Sequence, residues 1–193
     1  MASTVILGID PGLAHTGWGV IEERGAKTTP LAYGCIETSP DNDLAYRLCV
    51  ICDKIEAVLE RYQPDELGIE GIYFGVNTKS AIATAHARGA VMVAIGRRQI
   101  RIGEYTPMQI KKALVGTGSA DKAQVQYMVR SVLGLDHVPQ PDHAADALAA
   151  AVCHTRLKDI DTAARRMNRH MHLHSNERDA WTKKIAAMGE AKQ

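Results

Sequence analysis

At 193 residues, 46% hydrophobic and 23% charged, the chain can bury one ordinary core without disulfide or metal staples. Its net charge of +1 excludes bulk charge as a means of holding a polyanion, so any such surface must come from uneven placement. No apolar run approaches the ~20 residues of a membrane span, and no charged segment precedes a long apolar core as in a signal peptide; the expectation is a cytosolic, reduced protein without membrane contact.

In chain order, Val5–Ile9 is a continuous apolar run, the pattern of a central strand buried on both faces. Pro11 and Gly12 supply a turn, and Thr16–Glu22 ("TGWGVIE") alternates as a partnered strand does. A third strand is expected near Leu31–Thr38, completing an antiparallel meander. From Leu44 to Tyr62 apolar residues recur at helical spacing, and Pro64 ends the helix. Cys49 and Cys52 fall within it as a C-x-x-C. Neither a second close pair of Cys or His nor a preceding strand accompanies them, so they are read as buried thiols on an apolar helix face.

Glu66–Glu70 ("ELGIE") is a short strand, Ser80–Arg97 an alanine-rich helix, and "QIRIGEYT" another strand. "PMQIKKALVG" places Pro107 at a first helical position. "SADKAQVQYMVRSVLG" is expected to open on Ser119 as cap and to stop at Gly134. "PDHAADALAAAVCHTRL" is the last helix. The order βββαβαβααα implies an α/β fold, a mixed five-stranded sheet flanked by helices. Residues 1–157 are read as one domain and 158–193 as a basic C-terminal tail. Its three spaced histidines are read as solvated rather than as ligands.

Three acids stand out. Asp10 ends the first strand, Glu70 ends "ELGIE", and Asp146 lies inside "HAADALAAAV". Each alone has an ordinary explanation, as a turn residue, an ion-pair partner or a polar-face residue. Together, with no cation adjacent in sequence, they form the oxygen-rich set that a divalent ion requires, since a carboxylate at a buried edge costs several kcal/mol unless paired or metal-bound. Two such ions could clamp the attacking and leaving oxygens of a phosphodiester.

With these residues in view, the segments "GIDPGLAHTGWGVI", "IEGIYFGVN", "ARGA", "EYTPMQIKKALVGTGSADKAQVQYMVR" and "HAADALAAAVCH" resemble, in order and spacing, the RuvC family of Holliday junction resolvases. The resemblance spans roughly residues 4 to 156. It implies an RNase H-like fold, a homodimer, two divalent ions per subunit (Mg²⁺ or Mn²⁺), and symmetric nicking of a four-way DNA junction in recombination and repair. It also implies the RuvA and RuvB branch-migration proteins as partners.

The family's catalytic acids fall on Asp10, Glu70 and Asp146, and the fourth position falls on His143, where many members carry Asp. At about 100° per residue, His143 and Asp146 share a helix face, as do Asp142 and Asp146. His143 is expected to ligate and Asp142 to cap the helix, with the choice of ligand between them open. Imidazole in place of an anionic oxygen leads to the expectation that Mn²⁺ is favoured over Mg²⁺. By the resemblance, Lys111 and Lys122 lie near the scissile phosphate, Lys122 with a catalytic part, and Tyr73 stacks on a base. Arg88, with Arg97 and Arg98, is a candidate phosphate contact.

"GTGSADK" lacks the G-K-[ST] ending of a phosphate loop and follows no strand. The competing readings are a branched-DNA-binding module with a weakened site, an RNase H-like nuclease acting on RNA, and an actin-like ATPase. The last would need close to twice this length.

Overall fold

The protein is represented by a computed structural model, which describes residues 3–72, 78–98, 100–166 and 183. The chain divides into two compact units, Met1–Asp159 and Ile160–Gln193. Of the second, the end of α5 and Lys183 are described.

The elements are β1 (Thr4–Asp10), β2 (His15–Arg24), β3 (Lys27–Glu37), α1 (Leu44–Tyr62), β4 (Glu66–Glu70), α2 (Thr78–Gly96), β5 (Arg101–Tyr105), α3 (Pro107–Val115), α4 (Lys122–Leu133) and α5 (Asp142–Arg166). The sheet order is β3-β2-β1-β4-β5. β1 pairs antiparallel with β2 and parallel with β4, and β4 pairs parallel with β5. β1 is therefore central, which is why its sequence is apolar on both faces. Ile6 joins one buried cluster with α3, α4 and α5, while Leu7 and Ile9 join the other with α1 and α2.

Local chemistry sets the helix ends. Asp43 caps α1 by accepting from the Tyr46 N–H, and Thr106 and Gln109 form a capping box ahead of Pro107. α4 begins later than expected. Its cap is Asp121, in a capping box with Gln124, while Ser119 bonds back to Thr117 in the preceding turn. A carboxylate at the cap also meets the positive end of the helix dipole, an advantage Ser119 lacks. The cysteine reading is corrected too. All four thiols are free, and Cys153 is buried, but Cys49 is exposed and Cys52 and Cys35 are half-buried.

The packing of α5 onto the sheet positions the site. Gly19, Gly8, Gly68 and Gly103 stand opposite one another on β2, β1, β4 and β5. α5 crosses this row with Ala147, Ala150 and Ala151. A Cβ on Gly8 would overlap the Ala147 carbonyl, and one on Gly68 would come within 2.6 Å of the Ala150 carbonyl oxygen. Backbone thus rests on backbone, and the helix sits as low as the chain permits.

Farther along α5, on the same face over β4 and β5, His154 is 2% exposed. Its Nδ1 lies 2.9 Å from the Tyr105 hydroxyl and its Nε2 lies 3.2 Å from Glu66 Oε2. Burial opposes the Glu66 charge, but hydrogen bonds from Arg101 and Lys158 outweigh it and lower its pKa. An ionised Glu66 must accept, so Nε2 carries the proton and Nδ1 accepts from Tyr105. Lys158, expected at the start of the tail, instead lies within α5, 2.5 Å from Glu23 and 3.1 Å from Glu66.

Candidate metal centre

Period-two alternation on β1 puts Ile6, Gly8 and Asp10 on the α5 face, and the same alternation on β4 puts Gly68 and Glu70 there. Ile9 lies beside Ile69 in the parallel ladder, so Asp10 and Glu70 emerge side by side where their strands end. The first turns of α5 bring in His143 and Asp146, three residues apart on one face. One donor atom from each of Asp10, His143 and Asp146 lies within 4.8 Å of the others. Glu70 adjoins this group, and its charge is felt together with those of Asp10 and Asp146.

The electrostatics are those of acids crowded without enough positive charge. Burial, then Asp10 and Asp146, pushes Glu70 up to about 7, with Lys111 pulling the other way. Burial and then Asp10 likewise raise Asp146, against the pull of Lys122. His143 Nδ1 lies 2.8 Å from Asp10 Oδ2, and that hydrogen bond raises the imidazole above its usual pKa.

Lys122, the first residue of α4, supplies the cation that the sequence did not place beside Asp10, Glu70 or Asp146. Its ammonium lies 3.1 Å from Asp142 and 3.3 Å from Asp146. Burial opposes its charge, but the hydrogen bonds to both carboxylates prevail and raise its pKa. Asp142 is the first residue of α5, and its carboxylate turns to Lys122 and to the Gln126 amide at 3.0 Å. The expectation that it caps the helix is corrected: it holds a lysine.

Two clefts open beside these residues and share Glu70 as a wall. One, of about 260 Å³, is lined by Lys111, Lys122, Asp146 and Ile110, and the other, of about 190 Å³, by Asp10, Gly71 and Thr84. Lys111 and Lys122 are thus brought to the acids. Arg88 is not: its side chain is 14% exposed and pairs with Glu104 at 2.8 Å, fastening α2 to β5. Arg97 pairs with Glu56, and Arg98 is exposed at the end of α2. Tyr73 lies outside the described residues, as do the tail histidines.

The sequence reading passed over His15. Its ring stacks on His143 with centroids 5.2 Å apart and planes at 7°. Its parity with Gly17 and Gly19 on β2, both against α5, is the signal that could have found it.

The donor set fits a divalent cation. Carboxylate oxygens and one imidazole nitrogen lie within 4.8 Å of one another, and the raised Glu70 and Asp146 carry charge that a cation would relieve. Among the described residues no helix is long and apolar enough to cross a membrane.

Comparison with known proteins identifies the family. The family model for the crossover junction endodeoxyribonuclease RuvC matches residues 6–154. The protein of that name from Desulforamulus reducens is 45% identical over 152 residues, covering 79% of this chain and 93% of the relative. The one from Treponema denticola is 46% identical over 155 residues, 80% of this chain and 87% of the relative. Among solved structures, Thermus thermophilus RuvC in complex with a Holliday junction substrate superposes with a TM-score of 0.78 at 38% identity. It spans 82% of this chain and 97% of that one. A yeast mitochondrial Holliday junction resolvase, 11% identical with a TM-score of 0.58, shares the fold. The five-stranded sheet and its helices are accordingly those of an RNase H-like fold, and the chain belongs to the RuvC family of crossover junction endodeoxyribonucleases.

Proposed function

We propose that the chain resolves four-way DNA junctions by metal-dependent hydrolysis, with Asp10, Glu70, His143 and Asp146 as the metal-holding and catalytic set. The observation that carries this reading is the convergence of Asp10, His143 and Asp146 within 4.8 Å, beside a Glu70 held near neutrality. When bound, divalent ions would polarise the scissile phosphodiester and stabilise charge on the attacking and leaving oxygens.

The chain's own groups then have defined tasks. Asp10 and Asp146 turn their oxygens inward, His143 gives up its bond to Asp10 to present a ring nitrogen, and Glu70 releases its proton. Lys122, freed from Asp146, keeps Asp142 as a partner and stays at the mouth of the larger cleft, where its ammonium meets a phosphate. Lys111 lines the same cleft and adds positive charge there. Tyr73 serves as a stacking surface for an unpaired base. Arg88 takes a different part: its pairing with Glu104 favours holding α2 in place over touching phosphate.

Paired nicks in two strands need two sites related by a two-fold axis, so the working form is a homodimer. Exposed Ile82 and Val93 on α2, each 53% accessible, support that helix as the interface, with α4 a second candidate. RuvA and RuvB are the proposed partners, the cytoplasm the proposed location, and two ions per subunit the proposed complement, with Mn²⁺ favoured. Residues 1–157 carry the reaction, with 158–193 as a C-terminal extension to it.

The test compares a mobile four-way DNA junction, a linear duplex and a structured RNA as substrates. Junction cleavage should exceed the others, and Asp10→Asn, Glu70→Gln and Asp146→Asn should each abolish it while largely sparing junction binding. Binding survives because affinity comes mainly from lysine and arginine contacts to phosphate. Preferential cleavage of RNA, or near wild-type cutting by one of these variants, would overturn the substrate or that residue's assignment.

A further inference from the structure

His15 is the first residue of β2 and lies beside the metal centre without belonging to it. β2 runs antiparallel to β1 with Gly17 opposite Asp10, so His15 sits two residues beyond Asp10's partner, on the same face of the sheet. Gly17 has no side chain to interpose. A Cβ there would overlap the His143 carbonyl, so the first turn of α5 settles onto β2. The His143 ring is thereby placed with Asp10 at one nitrogen, 2.8 Å away, and the face of His15 against its own at 5.2 Å and 7°.

We infer that His15 is a positioning residue, a platform that fixes the plane of the His143 ring so that its nitrogen stays turned into the space it shares with the Asp10 and Asp146 oxygens when a divalent ion binds. This rests on the reading of His143 as a ligand. The hydrogen bond that orients the ring uses Asp10 and a ring nitrogen, atoms that the ion would also draw upon. The stack uses neither, so it survives the exchange. His143 is 39% exposed on an opening helical turn, where an unsupported ring samples several rotamers, and ordering it on binding lowers affinity. His15 does not ligate: among the described residues, the convergent donors are those of Asp10, His143 and Asp146.

The test is calorimetric titration of Mn²⁺ into the full chain without DNA, with circular dichroism to confirm folding and ¹⁵N spectra of the His143 imidazole in the metal-free protein. His15→Ala should weaken Mn²⁺ binding about three- to tenfold and broaden the His143 signals, the range expected for one side chain left to be immobilised on binding. His15→Phe, which keeps a flat ring and removes the nitrogens, should restore both, and His15→Leu should not. In the His143→Ala background, His15→Ala should have no further effect.

If His143→Ala binds Mn²⁺ as the wild type does, the ligand reading fails and the platform with it. If His143→Ala weakens binding but His15→Ala does not, the ligand reading stands and the platform is overturned. Equal weakening by His15→Ala and His15→Phe would overturn it as well, since the imidazole nitrogens and not the ring face would then matter.

Discussion

Glu70 is where fold stability and the proposed chemistry meet in a single side chain. In the metal-free protein its carboxyl is pushed from 4.5 to about 7, first by burial and then by Asp10 and Asp146. Between those values the folded state holds a proton that the unfolded chain has released. Stability therefore falls as pH rises through that window, and above it the loss is on the order of 3 kcal/mol. Glu70→Gln removes the charge and keeps the shape. In chelator at pH 8 it should raise the thermal midpoint by about 5 °C or more, and at pH 4 by little. A midpoint unmoved at pH 8 would show that the carboxylates do not strain the fold. As a proposed ligand, His143 would bear on the choice of ion. Mg²⁺ prefers oxygen in near-ideal octahedral geometry, whereas Mn²⁺ accepts imidazole more readily. Cleavage at saturating metal should be markedly faster with Mn²⁺, and His143→Asp should narrow or reverse the gap. Equal rates in both metals, unchanged by the substitution, would remove His143 from the ligand set.

At the scale of the elements, α5 carries the site because it lies directly on the glycine row. Gly8→Ala would drive a methyl group into the Ala147 carbonyl and lift the helix, tilting His143 and Asp146 away from Asp10. Overpacking against backbone, which cannot rotate aside, is expected to cost about 3 kcal/mol or more. Chemical denaturation should show this as a large fall in midpoint, or the variant should fail to fold. Thr106→Ala, which removes half a capping box ahead of α3, should cost only about 1 kcal/mol. A Gly8→Ala protein no less stable than Thr106→Ala would mean that α5 is not held by backbone contact.

For the whole molecule, the proposed homodimer requires two sites acting together. A groove between α1 and α2, lined by Leu48, Cys52, Ala90 and Val93, leaves apolar surface exposed on the sheet face away from α5. Val93→Asp would place a charge in that surface, where burial against a second copy is costly. It should shift the protein to a monomer by sedimentation and convert paired cuts into isolated nicks that cannot be ligated. A monomer still yielding ligatable nicked duplexes would exclude the homodimer as the working unit.

The order of the elements, the central strand, the helix from Leu44 to Tyr62 and the acids at the strand ends were legible in the sequence. Each is written in local periodicity, turn residues or an acid out of place. The cap of α4 was misplaced by two residues, because Ser119 and Asp121 are both good caps and only the helix register chooses between them. Other features exist only where distant segments meet. Lys122 between Asp142 and Asp146, His15 against His143, and Arg88 taken up by Glu104 join different elements, and no local pattern encodes such pairs. The row of Gly19, Gly8, Gly68 and Gly103 is likewise invisible until the strands are in register, although each glycine stands plainly in its own strand. The sequence determined which groups could do the chemistry. The backbone contact of α5 with the sheet decided which of them meet, because side-chain reach is short and only close packing brings residues 10 and 143 within a hydrogen bond.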